Sequence, residues 1–128
     1  MNKKIFQTDR APKAIGPYSQ AIESNGFLFL SGQIPIDPAT NQLISSPSIT
    51  DQTKRVLQNI EALLKAKNLS LHHVVKTTLF LKNMSDFSAV NEIYGTFFKE
   101  NPPARSTVEV SKLPKDVLIE IEAIATLA

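Results

Sequence analysis

The chain has no cysteine and no tryptophan, and its 128 residues include only two histidines, two methionines and four glycines. Without cysteine there is no disulfide, no thiolate nucleophile and no thiolate metal site. The two histidines, His72 and His73, are adjacent. Neighbouring side chains on an extended segment point apart, so the pair is a poor chelate and no metal is expected. The glycines do not have the spacing of a phosphate-cradling loop, and no Gly-x-Ser-x-Gly turn is present. No apolar run approaches the roughly 20 residues of a membrane span. Neither sign of charge dominates: 14 basic residues face 12 acidic ones for a net charge of +2, and the lysines are scattered. That balance supplies no electrostatic footprint for nucleic acid. The first residues, MNKKIFQTDRAPK, lack the apolar core of a secretory signal. A cytoplasmic protein is the expectation.

What is present describes a globular chain, with 42% hydrophobic and 20% charged residues. One domain over residues 1–128 is expected. Lys4 to Gln7 reads as a short edge strand. Gly16-Pro17 marks a turn, and the chain is extended from Tyr18 to Glu23. Asn25-Gly26 then predicts a hairpin into FLFLSG, because both residues tolerate positive φ. The continuous apolar run Phe27–Leu30 predicts a strand covered on both faces. Residues 33–47, with Pro35 and Pro38, read as a loop. Ser48 and Asp51 open a helix over 49–67, with Asn68 as its C-cap. Val74 to Lys82 is a strand. Ser85 or Asp86 starts a second helix whose apolar stripe is Phe87, Val90, Ile93, Tyr94, Phe97 and Phe98. Gly95 within it suggests close packing.

The stretch ARSTVEVSKLPKDVLIEIEAIA, Ala104 to Ala125, reads as two alternating strands joined by a Lys-Leu-Pro-Lys-Asp turn. Paired as an antiparallel hairpin, they would place Arg105 and Thr107 on one surface with Glu120 and Glu122. Such a cluster is either a site or a cross-strand ion pair, the commoner case, worth roughly 0.2–1 kcal/mol. The order of elements predicts an α+β fold: one mixed β-sheet with both helices on one face. The other face is then half apolar, a surface suited to a closed homo-oligomer.

Taken alone, the remaining polar candidates have ordinary readings. Tyr18, Ser19 and Ser31 are turn or strand-edge hydroxyls, Gly32 permits a turn or a close approach, and Asn91 is an exposed helix residue. Four blocks change their weight: APKAIGPYSQAI, SGQIPIDPATNQL, FSAVNEIYGTFF and PPARSTVEVSKLPKDVLIEIEAIA. Together they resemble the RidA family, also called the YjgF family, over Lys3 to Ala125. The resemblance implies a chorismate-mutase-like fold, a homotrimer and clefts between subunits. It also implies hydrolysis of reactive 2-enamines and 2-imines, such as 2-iminobutyrate from threonine dehydratase, to 2-keto acids and ammonia, with no cofactor.

Carried over by position, Arg105 holds the substrate carboxylate and Glu120 places water or relays protons. Tyr18, Ser31, Gly32, Asn91 and Thr107 line the same cleft. Thr107 stands where the family often has cysteine, which leaves only its main-chain groups in the family role. Two rival readings remain: a non-catalytic trimer that senses a small carboxylate or acts as a chaperone-like partner, and a ribonuclease or translation inhibitor, which the charge balance disfavours.

Overall fold

A computed structural model describes residues 2–128. Six strands form one sheet in the order β1-β2-β3-β8-β6-β7. They are β1 (Lys3–Phe6), β2 (Ala21–Ser24), β3 (Phe27–Gln33), β6 (Val74–Leu81), β7 (Ala104–Glu109) and β8 (Ile119–Thr126). Every neighbouring pair is antiparallel except β6 and β7. The β2–β3 turn is the Asn25-Gly26 turn, with both residues at positive φ. Helices α1 (Ile49–Ala66) and α2 (Phe87–Phe97) pack together over one face of the sheet.

Local chemistry explains the boundaries of α1. The Ser48 hydroxyl accepts the Asp51 N–H. The Asp51 carboxylate accepts the Ser46 hydroxyl at 2.8 Å, rather than reaching back to the cap as in a full capping box. At the other end Asn68 turns left-handed at φ 61°, and the Leu69 N–H reaches the Leu64 carbonyl at 2.8 Å. Val56, Leu57, Ile60, Leu63 and Leu64 of α1 are buried against Ile119, Ile121, Ala123 and Ala125 of β8 and Leu28 and Leu30 of β3.

The Ala104–Ala125 hairpin does not exist. Strand β6 lies between β7 and β8, parallel to one and antiparallel to the other. The connection is not a five-residue turn: residues 110–118 lie outside the strands, only Val110 and Leu118 at its two ends still make backbone hydrogen bonds to β6 and the residue after it, and Leu113 and Val117 within it are buried. Such a length exceeds a hairpin loop and suffices to cross a strand. The predicted shared surface fails with it. Arg105 is in register with Thr77 and Thr107 with Leu79, on the helix-covered face. Glu120 is in register with Phe80 and Glu122 with Thr78, on the opposite face.

Three smaller expectations are also corrected. The Phe27–Leu30 run alternates: Leu28 and Leu30 are buried, whereas Phe27 and Phe29 are 40% and 42% exposed on the bare face. The 33–47 segment contains a small hairpin, β4 (Ile36–Asp37) with β5 (Gln42–Leu43). A β-carbon on Gly95 would meet open space, so no close packing requires that glycine.

The small hairpin is anchored from below by Asn59 of α1, which has no exposed surface. Its amide donates to the carbonyls of Ile36 at 2.9 Å and Ile34 at 3.4 Å, and its oxygen accepts from the Arg55 guanidinium at 3.1 Å. Asn59→Ala leaves these groups without their partner. We expect a loss of about 1–3 kcal/mol in urea denaturation at fixed protein concentration.

Candidate functional site

Strand β3 is regular up to Leu30, which pairs with Ala123, but Gln33 pairs with Ile121. Three steps on β3 therefore oppose two on β8, and the extra residue makes a bulge at Ser31-Gly32. Glu120 fills the space beside it. A β-carbon on Gly32 would overlap the Glu120 carboxylate. Glycine here leaves room for the carboxylate in the position it occupies, without an unusual backbone angle. The Glu120 carboxyl is half-buried and no cation pairs with it among the described residues. Burial first, and the neighbouring Glu122 charge second, raise its pKa above the usual glutamate value.

This bulge forms one wall of a cleft of about 420 Å³. Tyr18, Ser31, Gly32 and Glu120 all line it. The Ser31 hydroxyl donates to the Ser19 carbonyl at 2.6 Å, and the Tyr18 hydroxyl accepts the Ile15 N–H at 3.3 Å. Gln20, buried behind the cleft, fixes the N-terminal segment. Its oxygen accepts the Thr8 N–H at 2.7 Å, and its amide donates to the Pro12 carbonyl at 2.7 Å.

Arg105 lies elsewhere. Its guanidinium carbon sits 4.9 Å from the ring centre of Tyr94 and 5.5 Å from that of Phe87. No carboxylate pairs with it among the described residues. The Tyr94 hydroxyl shares a 2.7 Å hydrogen bond with Thr77, and burial raises its pKa. Phe87, Asn91 and Tyr94 fall at helical spacing along one stripe of α2. Asn91 Oδ1 and Thr107 Oγ1 are both buried without a hydrogen-bond partner. Thr107 thus turns its hydroxyl inward, and Asn91 is not a freely exposed helix residue.

The seven predicted residues accordingly form two groups. Tyr18, Ser31, Gly32 and Glu120 share the cleft, whereas Arg105, with Thr107 and the α2 stripe bearing Asn91, belongs to the other side of the sheet. One group offers a carboxyl of raised proton affinity, suited to acid–base work. The other offers a guanidinium held on aromatic rings and open to an anion. Sequence reading missed Gln20, as well as Lys13, Ile15 and Lys115 on the cleft wall. No periodicity singles these out. Only the unusual density of Pro and Gly around residues 12–17 hints at a shaped loop.

Residues 8–127 match the family described as Endoribonuclease L-PSP. A RutC family protein of Pyrococcus horikoshii is 57% identical over 123 residues, spanning 96% of this chain and 97% of that protein. The chloroplastic Reactive Intermediate Deaminase A of Arabidopsis thaliana is 47% identical over 127 residues, 99% of this chain and 67% of that protein. Among solved structures, YyfA of the conserved Rid protein family from Yersinia pestis matches with a TM-score of 0.92 at 52% identity, covering 97% of this chain and 98% of that one. E. coli TdcF with bound serine matches with a TM-score of 0.90 at 43% identity, covering 96% and 98%. With the bulge, the cleft and the sheet order in place, agreement over nearly the whole length means that the chain belongs to the Endoribonuclease L-PSP family, that is, the YjgF/RidA family.

Proposed function

We propose that the protein hydrolyses 2-imines, and the 2-enamines that tautomerise to them, to 2-keto acids and ammonia in the cytoplasm, without metal or organic cofactor. The observation that carries this reading is the Arg105 guanidinium, laid over Phe87 and Tyr94 with no carboxylate partner among the described residues. A fixed, unpaired guanidinium suits bidentate capture of a small carboxylate. The serine in TdcF is an amino acid carboxylate of that kind. The Arabidopsis relative is itself named a reactive intermediate deaminase.

Within one protomer Arg105 and Glu120 lie on opposite faces of the sheet with β6 between their strands, so no small substrate touches both. The proposed site therefore joins Arg105, Asn91 and Thr107 of one copy to Tyr18, Ser31, Gly32 and Glu120 of another. The bare sheet face, with Phe27, Phe29 and Val108 exposed, supplies apolar surface for that contact. A homotrimer is the assembly the family resemblance implies. Arg105 binds the carboxylate and so places the imine carbon near Glu120. Glu120 accepts a proton from water as the water oxygen bonds to that carbon. The resulting carbinolamine takes a proton on nitrogen, its C–N bond breaks, and ammonia leaves as the hydroxyl becomes the keto oxygen. A carboxyl with a raised pKa is well placed to receive and return that proton.

Two outcomes are expected. Arg105→Ala and Glu120→Gln should each abolish acceleration of 2-iminobutyrate hydrolysis, followed by competition with semicarbazide, while leaving the oligomer intact. Co-refolding the two inactive variants at equal amounts should then restore about a quarter of wild-type activity. Every mixed cyclic trimer regenerates one complete cleft of three, and roughly three quarters of random trimers are mixed. A site contained within one chain would restore nothing.

The second outcome concerns pH. The folded pKa of Glu120 is raised, so between the unfolded and folded values the native state binds more protons than the unfolded state. Its contribution to stability therefore falls as pH rises through that window. Glu120→Gln should be inactive yet at least as stable as wild type at pH 7. Thermal melts across pH should show that advantage shrinking as the pH is lowered below the folded pKa.

A further inference from the structure

The reaction proposed above uses only part of the cleft. Tyr18, Gln20, Ser31, Gln33 and Glu120 are polar residues of its wall, with Lys13 and Lys115 at its border, but Pro12, Ile15, Ile34 and Ile36 line the same space. None of these four can hold a carboxylate, activate water or carry a proton. Ile15 is 70% exposed and yet is not on a slack segment. Its own N–H is bonded to the Tyr18 hydroxyl, and the Tyr18 N–H returns to the Gly16 carbonyl at 2.9 Å. The preceding residues are tied at Pro12 by Gln20, and the Lys13 N–H donates to Asn41 Oδ1 at 3.1 Å. Asn41 belongs to the turn of the β4–β5 hairpin, so that last bond joins the segment bearing Ile15 to the hairpin bearing Ile36. Asn59 holds the hairpin from beneath. Two separate loops are thus braced to each other and to the core, and both present apolar side chains to the cleft.

The geometry points to a side-chain subsite: Ile15, with Ile34 and Ile36, selects 2-imino acids that carry a larger aliphatic side chain. This inference rests on the imine-hydrolase reading. With the carboxylate on Arg105 and the imine carbon facing Glu120, the side chain is the one part of the substrate left to place. Ile15, Ile34 and Ile36 give that side chain an apolar wall to lie against. Lys13 and Lys115 also border the cleft and are exposed. An apolar pocket discriminates by a factor of about ten or more per methylene it receives.

The test generates imines in situ with an L-amino-acid oxidase, from leucine and from alanine, and compares kcat/KM for the two. Wild type should favour the leucine-derived imine. Ile15→Ala should lower the leucine-to-alanine ratio about tenfold, through KM more than kcat, and Ile15→Met should keep it near wild type. Ile15 is exposed in the protomer, so folding is not at stake, and unchanged thermal melts will verify that. A ratio unmoved in Ile15→Ala, equal losses on both imines, or a wild-type preference for the alanine-derived imine would each overturn the subsite. If wild type accelerates both imines and Arg105→Ala loses both, such a failure belongs to the subsite alone. If wild type accelerates neither, the hydrolase reading falls and the subsite falls with it.

Discussion

The architecture depends on where β8 sits. Inserted between β3 and β6, it buries Ile119, Ile121, Ala123 and Ala125 under α1 and sends Glu120 and Glu122 to the bare face. Because strand side chains alternate, these two outcomes are one fact: a register that seats the isoleucines in the core must project the glutamates outward. The β3 bulge then gives Glu120 its place, since the missing side chain at Gly32 leaves room for that carboxylate. The same insertion pushes β7 to the sheet edge, where Arg105 meets α2 instead of β8.

Two glutamates show how differently the fold treats one residue type. Glu23 on β2 bonds the Lys67 ammonium at 2.6 Å, and that hydrogen bond lowers its pKa. Glu120 has burial and a like charge instead, and its pKa moves the other way. A residue selected for stability at that position would be neutral or would have a cation within reach. The unfavourable setting of Glu120 is the kind that concentrates at sites of acid–base chemistry.

Periodicity and turn chemistry made much of this legible. Ser48 and Asn68 mark the ends of α1, Asn25-Gly26 marks the first hairpin, and the alternation in Ile119–Ala125 separates core from surface. These signals are local. What the sequence did not disclose was which strands are neighbours. The alternation of β7 and β8 is compatible with pairing to each other or to β6, and nothing within residues 104–125 announces the intervening strand. The difference extends to the site: pairing β7 with β8 would put Arg105 and Glu120 on one surface, whereas pairing each with β6 puts them on opposite faces. The family resemblance grouped the candidate residues without that register. Four of them do meet at one cleft. The braced apolar wall is not legible in the sequence because it depends on contacts between distant segments, such as Lys13 with Asn41.

Separation of Arg105 from Glu120 within the chain has a chemical consequence under the proposed reaction. Neighbours on paired strands would neutralise each other, and a partly buried guanidinium–carboxylate pair has to be broken before either group can serve a substrate. Opposite faces of a sheet prevent that pairing while each protomer folds. Arg105 is meanwhile kept in place by Phe87 and Tyr94, which stabilise a cation without using up its N–H donors. Glu120 lies half-buried beside the bulge, with no counter-charge among the described residues. Assembly would then bring together two groups that are each already oriented and each still unpaired. A substrate carboxylate would meet a guanidinium free to form both of its parallel bonds, and by occupying that cation it would leave Glu120 free to act on water. A division between copies is thus a way to hold opposite charges ready in one cleft without letting them satisfy each other first.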